Sequence, residues 1–298
     1  MNAPLDWARD GKDWPNRKAS RFVKAGGITW HVQVEGKGKG PVLLLLHGTG
    51  ASTHSWRDLL PLLARDYRVI APDLPGHGFT QMPRSAEISL PGMAKLLGSL
   101  VAELGEKPMD AVGHSAGCAL LIRMALDGAI NPHAIIGLNA ALRPFGGGAG
   151  RAFSSLARFF ALNPLVPRFF AWQANDASAI RRLMEGTGSR IDQRGLDLYQ
   201  RLFRSHAHLR STITMMANWD LVPLNEELGH LHSILHLIVA QGDKAISPED
   251  ARHLKRRHPA IHLHWLKEGG HLVHEENPLE IAALIHDIAK PVALRRTG

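Results

Sequence analysis

Asp110-Ala-Val-Gly113-His114-Ser115-Ala116-Gly117 decides how this chain is read. An apolar strand end precedes the Gly-x-Ser-x-Gly pattern, and a helix-like run, Cys118-Ala-Leu-Leu-Ile-Arg-Met-Ala125, follows it. A serine at a strand-to-helix corner can occupy a strained backbone position if its flanking residues have no Cβ to clash. Such a corner lifts the hydroxyl above the carboxyl edge of a sheet. The same five residues could also serve only as a small-residue turn that packs a helix onto a strand. The surrounding chain has to choose between the two.

Working outward, Pro41-Val-Leu-Leu-Leu-Leu46 reads as a strand buried on both faces, as found inside parallel sheets. Arg21 to Glu35 alternates around Gly26-Gly27 as a hairpin. Tyr67–Ala71, Ala134–Asn139, Ile234–Ala240 and Ile261–Leu266 read as further strands. Ser55–Leu63, Ser89–Leu104 and Pro278–Ala289 read as helices, with Ser89 as a cap. Residues 1–20 are expected to be an irregular arm. Alternating strands and helices predict a mainly parallel, doubly wound α/β sheet, with function at the carboxyl ends of its strands. From Arg143 the character changes, through the Gly-rich stretch 144–150 into an Arg-rich helical segment. The expected division is a core of 1–142 and 223–298 with a helical cap of 143–222.

A serine hydroxyl needs an adjacent base, and that base needs an acid to fix its tautomer. Ser115, Asp243 and His271 each stand just past a predicted strand, in the order nucleophile, acid, base. These three are the candidate catalytic residues. The amides of Ala116 and of Thr49, in His47-Gly-Thr-Gly50, are the candidate oxyanion donors. Candidate substrate contacts are His47, His114, Arg143, Phe145, Phe159 and Trp172.

The net charge is +8, and between Arg143 and Val222 the chain carries eleven Arg, no Lys and five acidic residues, a net of +6. No nucleic-acid motif accompanies that charge, so an anionic small molecule or an acidic membrane surface is the better match, beside a plain solvated helical surface. Phe159-Phe160, Phe169-Phe170 and Trp172 add flat apolar faces in the same segment. Eighteen histidines invite a metal reading, but none has the spacing of a zinc site, so no metal and no cofactor is expected. The start of the chain lacks a basic region followed by an apolar one, no apolar run is long enough to span a bilayer, and a single cysteine, Cys118, suits a reducing compartment. A cytoplasmic location is expected.

His-Gly-Thr-Gly50, Asp73-Leu-Pro-Gly-His-Gly78, Gly113-His-Ser-Ala-Gly117, Gly242-Asp243 and Gly269-Gly-His271, in that order, resemble the α/β-hydrolase fold. The resemblance implies a mostly parallel eight-stranded sheet flanked by helices, with an inserted cap. Epoxide-hydrolase and dehalogenase relatives place Asp where this chain has Ser115. More narrowly, Asp13-Trp-Pro-Asn-Arg17, His47–Trp56, Ala71–Thr80, Leu138–Phe145 and Met215-Met-Ala-Asn-Trp-Asp220 are similar to the magnesium-chelatase accessory proteins of bacteriochlorophyll biosynthesis. That resemblance implies a role near Mg²⁺ insertion into protoporphyrin IX. The implied partners are the porphyrin or its Mg form, chelatase subunits, and weak membrane contact through the cap. Three roles follow: a serine hydrolase acting on an ester-type bond in that pathway, a non-catalytic porphyrin escort, or a general ester or C–C bond hydrolase.

Overall fold

The computed structural model describes residues 5–36, 38, 40–143, 171 and 174–289. Eight strands form one sheet: β1 (Ser20–Ala25), β2 (Ile28–Glu35), β3 (Val42–Leu46), β4 (Arg68–Pro72), β5 (Asp110–His114), β6 (Ala134–Leu138), β7 (Ile234–Ala240) and β8 (His262–Leu266). Their order across the sheet is β1-β2-β4-β3-β5-β6-β7-β8. β1 and β2 form an antiparallel hairpin, β2 pairs antiparallel with β4, and the remaining pairs are parallel.

The leucine run of β3 shows why the sheet is buried on both sides. Side chains alternate across a strand, so Leu44 and Leu46 join one apolar cluster while Leu43 and Leu45 join the other. All four are fully buried. Each contributes about 2 kcal/mol by leaving water.

The described helices are α1 (Trp7–Asp10), α2 (Leu59–Leu63), α3 (Leu90–Glu103), α4 (Ala116–Leu126), α5 (Ala177–Gly186), α6 (Gln193–Phe203), α7 (His206–Ala217), α8 (Val222–Glu227), α9 (Pro248–Arg257), α10 (Val273–Glu276) and α11 (Pro278–Ile288). α3 and α4 cover the Leu44 face, and α2 and α11 cover the Leu43 face. In α3, Leu90, Met93, Ala94, Leu97, Leu100 and Val101 repeat at three- and four-residue spacing, which produces one buried stripe.

Three local expectations are corrected. The helix expected over Ser55–Leu63 is a 3₁₀ turn at Thr53–Trp56 followed by the short α2. The Ser89 hydroxyl does not cap α3, because its Oγ donates to Ala86 O instead. The N-terminal arm, described from Leu5, is not wholly irregular. It contains α1, and Trp14 is buried against Leu198 and Leu202 of α6.

Between β6 and β7 the chain inserts α5 to α8. Asp176, Asp192 and Ser205 cap α5, α6 and α7 by accepting backbone N–H groups at the first turns. α6 buries Leu196, Leu198, Tyr199 and Leu202 along one face. Arg201, on the same helix, pairs with Asp13 of the arm at 2.7 Å, so the inserted helices are tied to the N-terminus as well as to the core.

Candidate active site

Ser115 joins β5 to α4 with φ 51° and ψ −118°. A β-carbon makes that conformation costly, on the order of 1–3 kcal/mol, so the surroundings must hold it. Ser115 N donates to Leu138 O at 3.0 Å, and Ser115 O accepts from Ala141 N at 3.2 Å, which anchors the corner to the end of β6. The flanking glycines are steric requirements. A Cβ on Gly113 would lie 2.4 Å from Cys118 N, and one on Gly117 would lie 2.1 Å from Leu46 O.

Asp243, three residues past β7, and His271, five past β8, meet above the same edge. His271 Nδ1 lies 2.8 Å from Asp243 Oδ2. Asp243 Oδ1 accepts from Ala245 N at 2.8 Å and Ile246 N at 2.9 Å, so the carboxylate cannot swing away. The acid side chain is 1% exposed and the imidazole 12%. With Nδ1–H given to the carboxylate, His271 Nε2 is left as a proton acceptor. Among the described residues Ser115 Oγ makes no hydrogen bond, to His271 Nε2 or to any other group. Among the described residues the amides of Thr49 and Ala116 also donate to no protein acceptor. Thr49, in the loop after β3, and Ala116, the first residue of α4, flank this corner, since a Cβ on Gly48 would lie 3.1 Å from Ser115 Cβ.

Other candidates are placed differently. Both ring nitrogens of His47 are used: Nδ1 donates to Gly48 O at 2.8 Å and Nε2 accepts from Leu74 N at 2.9 Å. His114 is buried, and its Nε2 donates to His271 O at 2.9 Å, so it supports the base's backbone. Arg143 is ion-paired with Asp250 at 2.7 Å. Phe145, Phe159 and Trp172 lie outside the described residues, as do the Gly-rich stretch 144–150 and the other cap aromatics Phe160, Phe169 and Phe170. Of the described arginines between β6 and β7, Arg181, Arg182, Arg190, Arg194, Arg204 and Arg210 are exposed.

Asp73, which follows β4 and opens the Asp-Leu-Pro-Gly-His-Gly motif, is a structural anchor. Its carboxylate accepts from Thr53 N at 2.6 Å, Phe79 N at 2.9 Å and the His31 ring at 2.8 Å. Burial opposes its charge, but the neighbouring His31 and these donors hold its carboxyl well below the usual range.

A buried network escaped the motif reading. Arg57 pairs with Glu275, four residues after His271, and with Asp192, the cap residue of α6, at 2.9 Å. Glu275 also accepts from Ser55 Oγ at 2.6 Å and Tyr199 Oη at 2.7 Å. Burial raises the Glu275 pKa, opposed by the Arg57 guanidinium and the hydroxyl donors. The sequence cue was the charged pairs Arg57-Asp58 and Glu275-Glu276 beside otherwise apolar or motif-bearing stretches. Among the described residues, no group of three or more His, Cys, Asp or Glu could hold a metal ion, and no helix is long and apolar enough to cross a membrane.

Residues 43–284 match the alpha/beta hydrolase family. The chain is 39% identical over 279 residues to the magnesium-chelatase 30 kDa subunit of Rhodobacter capsulatus, covering 92% of this chain and 96% of that protein. An alpha/beta hydrolase fold protein from Burkholderia ambifaria superposes with a TM-score of 0.74 at 24% identity, covering 96% of this chain and all of that one. An epoxide hydrolase from Vigna radiata superposes with a TM-score of 0.74 at 21% identity, covering 91% and 97% of the two chains. These two likenesses are of fold alone. The chain belongs to the alpha/beta hydrolase family and, within it, to the same family as the magnesium-chelatase 30 kDa subunit.

Proposed function

We propose that the protein is an accessory of magnesium chelatase in (bacterio)chlorophyll synthesis that works as a serine hydrolase on an ester-type bond. The observation that carries the chemistry is the strained Ser115 corner standing at the same sheet edge as the paired Asp243 and His271. The pathway rests on the likeness to the Rhodobacter capsulatus subunit.

In this reading Ser115 Oγ attacks the carbonyl carbon while its proton passes to His271 Nε2. The Thr49 and Ala116 amides hold the oxyanion as the tetrahedral species forms. Collapse expels the alcohol, which takes the proton from His271, and leaves an acyl-Ser115. Water then attacks with His271 as base, releasing the acid and restoring the serine. Asp243 keeps the imidazole in the required tautomer and steadies its positive charge. A porphyrin carrying an ester or carboxylate arm is the proposed ligand of the cap side.

A second reading, a porphyrin escort without turnover, is favoured by the name of the relative, which is a chelatase subunit. Reaction with a fluorophosphonate separates the two. Labelling of Ser115 that disappears in His271→Ala supports hydrolysis. An unlabelled, folded protein whose Ser115→Ala form still restores pigment in a deletion strain supports the escort.

A further inference from the structure

Taking His271 as the base, as the hydrolase reading requires, we propose that Asn139 and the cap loop Thr187–Ser189 are positioning residues that hold it from opposite sides. Seating the cap and assembling the acid–base pair are then one event.

Both backbone polar groups of His271 have partners from different parts of the molecule. Its N–H donates to Thr187 O of the cap at 3.3 Å. Its carbonyl accepts from Asn139 Nδ2 at 3.0 Å and from His114 Nε2 at 2.9 Å. Asn139 is buried, with φ 44°, one residue past β6. Its Nδ2 also donates to Gly270 O at 2.9 Å, while its Oδ1 accepts from Ala240 N at 2.9 Å. Ala240 is the last residue of β7, three before Asp243. One carboxamide therefore ties the strand that delivers the acid to the loop that delivers the base.

The cap loop reaches the same two loops. Thr187 O accepts from Lys244 N at 3.0 Å, beside Asp243. Ser189 Oγ accepts from Leu272 N at 2.8 Å, beside His271. Gly188, with φ +86°, runs so close that a Cβ there would lie 2.1 Å from Gly242 O, and a Cβ on Gly270 would lie 2.3 Å from Gly188 C. Three backbones pack with no space for a side chain between them. Displacing this loop removes acceptors from His271 and Lys244 together, so the acid and base lose their common register.

The test uses the full chain with Asn139→Ala, Gly188→Ala and Ser189→Ala, and Arg181→Ala as an exposed cap control. Two signals are read: the low-field proton resonance of the His271 ring N–H bonded to Asp243, assigned by its loss in His271→Ala, and the rate of fluorophosphonate labelling of Ser115 with its pH profile. We expect the resonance to vanish or broaden in Asn139→Ala and Gly188→Ala. Their labelling should slow at least tenfold with a shifted pH profile, and Arg181→Ala should match the parent. Folded Asn139→Ala and Gly188→Ala proteins that keep the parental resonance and rate would overturn the proposal. Should either fail to fold, Ser189→Ala carries the test, with a weakened resonance expected and an unchanged one counting against the idea. A parent protein that is never labelled sinks the hydrolase reading instead, and the resonance then decides this inference alone.

Discussion

Asp243 and His271 meet at 2.8 Å although 28 residues separate them, and the second oxygen of the Asp243 carboxylate is held by the Ala245 and Ile246 amides. That relationship yields the first prediction. Asp243→Asn can accept the same loop amides but cannot accept the Nδ1 proton with a charge, and its amide favours the wrong tautomer. Ester hydrolysis or fluorophosphonate labelling should fall by about 10³–10⁴-fold while the thermal midpoint barely moves. A loss below tenfold would remove Asp243 from the proposed triad.

Strain at the corner gives the second prediction. Ser115 at φ 51° carries a cost that glycine does not. Ser115→Gly should lose all labelling and gain about 1–2 kcal/mol of stability in urea unfolding, the upper end being limited by the extra freedom of an unfolded glycine. A destabilised Ser115→Gly would mean that the side chain supports the fold.

The Arg57–Glu275 pair is the third case. The Arg57 side chain is 2% exposed and the Glu275 side chain is fully buried. Arg57→Ala leaves a carboxylate inside the protein with only hydroxyl partners, a change that costs about 3–5 kcal/mol. Glu275→Gln keeps neutral partners for Ser55 and Tyr199 and should cost less. Equal midpoints for the two variants in chemical denaturation would contradict this account.

Acid sensitivity follows from the buried imidazoles. His208 of α7 donates from Nε2 to Gly50 O at 2.9 Å and accepts at Nδ1 from Gly78 N at 3.1 Å, an arrangement open only to the neutral ring. Burial lowers its pKa to about 4, and burial with the neighbouring His271 and Arg57 lowers that of His274 to about 3. Burial likewise depresses His47, His54, His77 and His114. An unfolded histidine titrates near 6.5, so below that pH the unfolded chain binds protons that the folded one refuses. Stability should be full above about pH 6.5 and fall as the pH drops toward 4. At pH 4.5 His208 and His274 should each contribute a loss on the order of 2–3 kcal/mol, with the other rings adding in the same direction. Urea midpoints measured from pH 7.5 to 4.5 check this, and a flat series would refute it.

The amino-acid sequence by itself determined what depends on neighbours along the chain. Alternation in Leu43–Leu46 sets a strand buried on both faces, and Gly113, where a Cβ would strike Cys118 N, leaves room for the strained turn at Ser115, because side-chain period and such Cβ sterics act over a few residues. The capping of α6 by Asp192 is equally local. Tertiary structure decided what depends on partners far away in sequence. His47 and His114 read as substrate contacts, yet both His47 ring nitrogens bond Gly48 and Leu74 backbone groups, and His114 Nε2 donates to His271 O. Asn139 read only as the end of a strand, and its part emerges when Gly270 and His271, more than 130 residues later, come within hydrogen-bond reach. No periodicity encodes such a pairing, because the fold creates the distance. The loop at Gly188, between α5 and α6, belongs to the same class: its glycine is required by two other backbones that pack against it, and only the folded chain brings them there.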